Sequence, residues 1–325
     1  MISDTIVQPA PRVAFVGQAT FFEACSLEPQ AGPAAGLEPQ FFEFRQGADA
    51  DRLLASLESF APDVVIAFRP EILPAGLLHD LPGAVIGFLT EPLPRAGGGA
   101  PRHEDLDRRL WELSQVDPLN VDRVVAFDPF IARTADSVLP VWRSLPLPVA
   151  DRFYAPTPAE PASEPRVLFV GRSTPHREKL LAETKARGDV LHLAFGVDAP
   201  HLEELLHSHD VAINIHNHPY PSFENRVCLH LAAANLVVSE PLSPSHGLEA
   251  GIDHLVFSNP GELAEIVTML GRFPGIWHDV RVRGRRKAEI FRASRVYPRL
   301  VGDLFLDLRT RPSARPGAAR ARAAA

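Results

Sequence analysis

The residues best suited to chemistry lie in the second half of the chain. Gly171-Arg172-Ser173-Thr174-Pro175-His176-Arg177 follows an apolar run at 166–170 and precedes a helical pattern at 179–187. A strand closing on glycine, then hydroxyls and two guanidiniums ahead of a helix, suits a diphosphate. Backbone N–H groups at the helix start carry partial positive charge, and arginine presents a bidentate fork to phosphate oxygens. The same residues also fit a surface turn whose arginines are only solvated. A second group is Ser222, Glu224, Asn225 and Arg226. Ser222 is expected to cap a helix, with Glu224 in its first turn, where a carboxylate suits the dipole. Glu224 can accept hydrogen bonds from a ribose or sugar diol, and Arg226 can pair with phosphate or with Glu224. Read as structure alone, this is a cap and an ion pair worth under about 1 kcal/mol if exposed.

Two further groups end strands. His216-Asn217-His218 closes the β-branched run 211–215. An H-x-H pair can bind zinc or act as acid and base. No cysteine or carboxylate completes a metal spacing nearby, so no metal is expected and His216 is read as crevice lining. His201, His207 and His209 are read as a solvated helix face. The stretch from Glu240 to Glu249 is rich in Pro and Ser, and Ser245, His246 and Gly247 can offer polar groups to an anion. In the first half Gly17, Glu91 and Asp128 each end a strand and should rim the same crevice. Glu91 or Asp128 is a candidate base for an acceptor hydroxyl, or else a turn or capping residue.

The elements that must position these groups read as two successive nucleotide-fold patterns. Continuous apolar runs at 12–17, 63–68, 84–89 and 123–127 suit strands buried on both faces. A weaker strand is expected at 41–44, a loop at 27–40, and helices at 51–60 and 103–115. The glycines 97–99 lack the G-K-[ST] of a phosphate-binding loop. Alternating strands and helices imply βαβ units and a mostly parallel sheet. Prolines crowd 145–165, which reads as a stiff connection between domains. The pattern then restarts at 166–171 with strands at 190–195, 211–215 and 236–238, and helices at 179–187, 201–207, 223–234 (apolar from 227), 259–270, 277–291 and 295–308. The fold class expected is α/β, with two facing Rossmann-like domains: 1–150 on the acceptor side, linker 151–165, 166–291 on the nucleotide side, and a helix at 292–309 crossing back. In open α/β sheets the ligand crevice lies at the carboxyl ends of the strands, where the candidate residues fall.

Composition bounds the function. The 325 residues are 46% hydrophobic and 22% charged, with a formal net charge of −7, which excludes a whole-protein nucleic-acid footprint. The segment 310–325 holds only basic, small and proline residues; it is expected to be disordered, with at most weak contact to an anionic membrane surface. Two cysteines, Cys25 and Cys228, form no framework, and no signal or transmembrane pattern is present, so a cytoplasmic protein is expected.

The runs VLFVGR (167–172), DVAINIH (210–216), FENRVCLHLAAANLVVSE (223–240) and GIDHLVFSNPGELAEIV (251–267) resemble the C-terminal half of group 1 (family 4-like) GT-B glycosyltransferases, closest to the CgeB-like branch. The resemblance implies transfer of a sugar from a nucleotide-sugar donor to an acceptor hydroxyl, usually with retention and without a tightly held metal or other cofactor. It implies that Arg172 and Arg177 neutralise the donor diphosphate and that the turn from Ser243 to Gly247 faces its phosphate and sugar. Where the family helix reads E-A-L-A-x-G, residues 229–234 read L-H-L-A-A-A, so Leu229 replaces the ribose-holding glutamate and Glu224 is the candidate substitute. The first half carries no family motif; a glycan, a lipid-linked or a small-molecule acceptor would bind there. A GT-B-like binding protein without transfer activity, and a nucleotide-sugar epimerase, are the alternatives.

Overall fold

A computed structural model describes residues 9–95, 104–194, 197–220 and 222–318. The glycines 97–99 lie outside the described residues. Two all-parallel sheets organise the chain. The first contains β1 (Arg12–Gly17), β2 (Glu38–Glu43), β3 (Val64–Phe68), β4 (Ala84–Leu89), β5 (Arg123–Ala126) and β6 (Val141–Ser144), in the order β2-β1-β3-β4-β5-β6. The second contains β7 (Val167–Val170), β8 (Val190–Leu193), β9 (Val211–Asn214), β10 (Leu236–Ser239) and β11 (Leu255–Val256), in the order β11-β10-β9-β7-β8. The expected α/β architecture with two Rossmann-like sheets is observed. In β3 and β4 every residue is buried, as a sheet covered on both faces requires.

Helices α1 (Ala19–Phe22), α2 (Gly32–Ala35), α3 (Ala50–Phe60), α4 (Glu104–Ser114) and α5 (Ala132–Asp136) flank the first sheet. The region expected as a loop at 27–40 thus holds α2 and the start of β2. Helix α3 buries Leu53, Leu57 and Phe60 on one face and is capped by Asp49, which accepts from the Arg52 amide at 3.0 Å. The second half carries α6 (Pro175–Arg187), α7 (Ala199–His207), α8 (Arg226–Ala232), α9 (Pro260–Arg272) and α10 (His278–Lys287). Helix α9 opens with a reciprocal cap: Asn259 accepts from the Glu262 amide at 3.0 Å while Glu262 accepts from the Ser258 amide at 2.7 Å.

The last helix, α11 (Ala293–Thr310), returns to the first sheet. Its Ala293, Tyr297, Leu300, Val301 and Leu304 belong to the first hydrophobic core, each fully buried leucine contributing about 1.5–3 kcal/mol. The Tyr297 ring meets Phe15 edge-on at 4.7 Å and its hydroxyl donates to the Cys25 carbonyl. Where the connection between the sheets begins, Val149, Ala150 and Phe153 are fully buried, with the Val149 amide donating to Phe291 O at 2.8 Å and that of Ala150 to Ala24 O at 2.9 Å, and most residues from 156 to 164 are exposed.

The described part of the basic tail, residues 310–318, makes specific contacts with the first half. Arg315 is buried beneath the first sheet, where its Nε donates to Asp122 Oδ2 at 3.0 Å and its guanidinium also donates to the carbonyls of Leu78, Leu81 and Gly83. The Gly317 amide donates to His79 O at 2.7 Å. Composition predicts a solvated segment; one arginine that finds a buried carboxylate and three carbonyls overrides it.

Candidate functional site

The carboxyl ends of the two sheets face each other. The segment after β4 meets the segment after β9, with Tyr220 donating to Leu93 O at 3.1 Å. His218 Nε2 lies 3.9 Å from Asp105 Oδ2 on α4. Most of the polar residues singled out above fall on this line.

Its centre is a cluster built on β7 and the two helix starts beside it. Gly171 ends β7, and a Cβ there would sit 2.6 Å from Arg226 Nη1 and 3.1 Å from Arg177 Nη1, so only glycine lets both guanidiniums lie over the strand end. Thr174 caps α6, accepting from the Arg177 amide at 3.3 Å, and its hydroxyl donates to Asn217 O at 3.0 Å. Arg177 is buried. Its Nε donates to Ile215 O at 3.0 Å, its Nη1 donates to Arg172 O at 3.1 Å, and its Nη2 lies 3.6 Å from Glu224 Oε1 without a hydrogen-bond partner. Arg226 donates to Val170 O at 2.7 Å and to Glu224 Oε2 at 2.6 Å. Glu224 Oε1 also accepts from the Asn217 amide at 3.2 Å.

One carboxylate therefore balances two guanidiniums, and the cluster keeps a net positive charge. Burial works to raise the Glu224 carboxyl, but Arg226, Arg177 and His216 outweigh it and hold the group down at about 2. Burial, with Arg226 alongside, brings the Arg177 guanidinium down to about 9, so it stays charged at neutral pH. Arg172 is different: its side chain is exposed and its Nε donates to Asn217 Oδ1 at 3.0 Å. It also reaches the first half electrostatically. Burial works to raise the Asp105 carboxyl, and Arg108, His218 and Arg172 outweigh it. Ser173 beside it donates to Glu178 Oε1 at 2.6 Å.

The helix that carries this cluster starts later than expected. Helix α8 begins at Arg226, with Asn225 as its capping position and Glu224 ahead of it. Ser222 does not cap it; its hydroxyl bonds His216 Nδ1 at 3.0 Å. His216 also donates from Nε2 to Pro241 O at 3.1 Å, so both ring nitrogens are engaged. His216 and His218 diverge, the second pointing to Asp105. Among the described residues no group of three or more His, Cys, Asp or Glu could hold a metal ion. Of the upstream histidines His201 and His207 are exposed, His207 also donating to Phe153 O at 3.1 Å, and His209 is buried. Asn225 crosses to the first half, donating to Cys25 Sγ at 2.9 Å. Burial pushes the Cys25 thiol up to about 12, so it is inert as a nucleophile.

Glu240 ends β10 and receives the His216 amide at 2.7 Å and His176 Nε2 at 3.0 Å, tying the β9 and β10 turns to α6. In the next turn Ser245 and Gly247 are exposed, with His246 and Gly247 at φ 49° and 83°. The His246 ring packs edge-on against Phe223 at 4.6 Å, and burial pulls its imidazole down to about 4, so it is neutral.

On the first half Glu91 pairs with Arg109 and lies 3.8 Å from Arg69. Asp128 accepts from the Phe130 amide at 2.7 Å and from Arg95 Nη2 at 2.9 Å, so both its oxygens are engaged. Burial raises its carboxyl in spite of those bonds. Gly17 faces the rings of Phe22 and Phe68, which a Cβ would meet at 3.1 and 3.3 Å; it closes the strand inside the core. Sequence reasoning passed over Arg95, Tyr220, Arg69 and Arg109. Arg69 carried a local signal, an Arg-Pro pair directly after a buried strand, and it adopts φ 60°; the others act through partners far away in the chain.

Two facing, all-parallel Rossmann-like sheets with a C-terminal helix returning to the first define a GT-B fold. No family model matches the chain, and no curated protein matches it in sequence. Solved structures do match in fold. HepE (Alr3699) of Anabaena, in complex with UDP-glucose, superposes with a TM-score of 0.60 at 11% identity, covering 92% of this chain and 100% of that one. Sucrose-phosphate synthase from Thermosynechococcus elongatus gives 0.56 at 12% identity, covering 92% and 99%. AviGT4, a glycosyltransferase involved in avilamycin A biosynthesis, gives 0.54 at 16% identity, covering 92% and 98%.

Proposed function

We propose that this protein is a glycosyltransferase that moves a sugar from a nucleotide-sugar donor to an acceptor hydroxyl. The observation that carries the reading is the cluster of Gly171, Arg172, Arg177, Glu224 and Arg226 at the strand ends of the second sheet, net positive and facing the first half. Its fold neighbours include a protein solved with UDP-glucose, which makes a uridine diphosphate sugar the first donor to try. When the donor's glycosidic bond breaks, charge develops on the diphosphate oxygen. Preorganised guanidiniums at that point stabilise the transition state more than the ground state. Arg172 is the group free to touch phosphate; Arg177 and Arg226, locked by backbone carbonyls and Glu224, supply a fixed field behind it. Ser173, Ser245, His246 and Gly247 line the approach of the phosphates and sugar.

The acceptor enters along α4 and the Glu91 turn. With both Asp128 oxygens engaged, the acceptor proton passes to the leaving phosphate oxygen, on the face the donor vacates, which favours retention without a resident metal or cofactor. We place the chain in the CgeB-like branch on the strength of residues 167–172, 210–216, 223–240 and 251–267, and its role in the cytoplasm, in synthesis of a glycan, surface polysaccharide or other glycoconjugate. No helix among the described residues is long and apolar enough to cross a membrane. A binding protein without transfer is the second reading, favoured by Leu229, which is buried in α8 where the family carries a glutamate.

The test is melting temperature and calorimetry against UDP, GDP, ADP and their glucose conjugates, for wild type and Arg172→Ala. A ligand at a hundred times its Kd stabilises by about 2.7 kcal/mol. Binding of one nucleotide family, weakened about tenfold or more in Arg172→Ala, supports the donor site. No binding by wild type refutes it, and binding without product in a sugar-transfer assay supports the second reading.

A further inference from the structure

Arg95 lies in the segment after β4, on the first half, yet its guanidinium ends in the second. Its Nη1 donates to Ser243 Oγ at 2.9 Å and its Nη2 to the Ser243 carbonyl, while Nε and Nη2 hold Asp128 Oδ2 at 3.2 and 2.9 Å. The group lies over the Phe130 ring at 4.8 Å and the Tyr220 ring at 5.5 Å, and Tyr220 donates back to Leu93 O at 3.1 Å. The Arg95 side chain is 14% exposed and that of Asp128 4%. Asp128 Oδ1 serves the Phe130 amide; without Arg95, its Oδ2 would be a buried charge with no partner, which is strongly unfavourable.

Ser243 opens the turn that carries Ser245, His246 and Gly247. Its amide is held by Ser222 O at 3.2 Å, and the Leu248 amide closes the turn on Ser245 O at 2.9 Å. One guanidinium, sandwiched between an aromatic ring of each half, thus ties this turn to the strand end of β5. A planar fork is suited to that bridge, because it bonds a carboxylate on one edge and a hydroxyl and carbonyl on the other.

We propose that Arg95 is a positioning residue that holds the 243–247 turn in its donor-binding shape and does so only while the two halves are closed, so that donor binding and closure are coupled through it. The inference rests on the glycosyltransferase reading. The test compares wild type with Arg95→Met, Arg95→Lys and Ser243→Ala by amide hydrogen exchange in the ligand-free protein and by calorimetry with UDP. Arg95→Met is expected to speed exchange at 245–248 while the amides of β9 and β10 stay protected, and to weaken UDP binding about ten- to a hundredfold, the size of a lost charge-assisted hydrogen bond or two. Lysine keeps the charge but cannot bridge both partners, so Arg95→Lys should recover only part of the affinity. Ser243→Ala removes one acceptor and should weaken binding less; it decides the case if Arg95→Met fails to fold.

Unchanged exchange at 245–248 in Arg95→Met overturns the strap. UDP binding by wild type that Arg95→Met retains in full overturns the coupling and leaves the glycosyltransferase reading standing. A wild type that binds none of the nucleotides overturns that reading and the donor half of this inference together, while the exchange measurement still decides the strap. A packing role alone would lower melting temperature without separating the exchange of this turn from that of β10.

Discussion

Replacing Glu224 by glutamine removes the charge that balances Arg177 and Arg226 and changes almost no volume. The structure sets the size of the effect. The carboxyl is held at about 2 against an ordinary 4.5, which corresponds to about 3 kcal/mol of stability at neutral pH. The side chain keeps 21% exposure, and solvent screening brings the expected figure to about 2 kcal/mol. A carboxyl whose folded value is lowered contributes fully above its unfolded value, and the contribution is lost as pH falls toward the folded one. The stability gap between wild type and Glu224→Gln should therefore be widest near pH 6 and narrow by about 1 kcal/mol at pH 3.5. Urea unfolding followed by far-UV circular dichroism at pH 6, 5, 4 and 3.5 measures the gap directly, and other carboxylates that titrate in this range cancel in the difference. A gap that is flat across these pH values, or a variant as stable as wild type at pH 6, would refute the claim that Glu224 is the counterion of the two arginines.

Two further substitutions test other parts of the same account. Arg315→Met leaves Asp122 charged and buried, so it should cost about 3–5 kcal/mol in urea unfolding, and the double variant with Asp122→Asn should cost less than the two single changes added; additive costs would mean the pair does not interact. Gly171→Ala drives a Cβ to 2.6 Å from Arg226 Nη1, which must displace a guanidinium held by Val170 O and Glu224. Nucleotide affinity should fall at least tenfold while the far-UV spectrum is unchanged, and full affinity would show that the cluster is not part of the donor site.

How much of this was legible in the sequence depends on the distance over which each feature is decided. Strands such as β3 and β4 were plain, because a strand covered on both faces must be apolar at every position, and VVIAF and AVIGFL are. Strand β6 was not: VWRS is only partly buried and its arginine donates to Asp303 of α11, so no pattern within four residues marks it. The juxtaposition of Gly171, Arg172 and Arg177 was legible since all three surround one strand end and one helix start. The helix start at 226 was misplaced because Ser222, the better cap by type, gives its hydroxyl to His216, and Glu224 is drawn out of the helix by two guanidiniums. Asp128 looked like a base from its position after a strand. Its occupation by Arg95 depends on a residue 33 positions away, and Arg95 in turn depends on Ser243, 148 positions away. Contacts of that range leave no local signature, and the basic tail teaches the same lesson with the opposite sign: a composition that predicts solvation is overridden where a single side chain, Arg315, meets a carboxylate 193 positions earlier. Local chemistry placed the groups at the strand ends of the second sheet in one neighbourhood; what joins that neighbourhood to the other half of the molecule is written in pairs, and only the folded chain brings the pairs together.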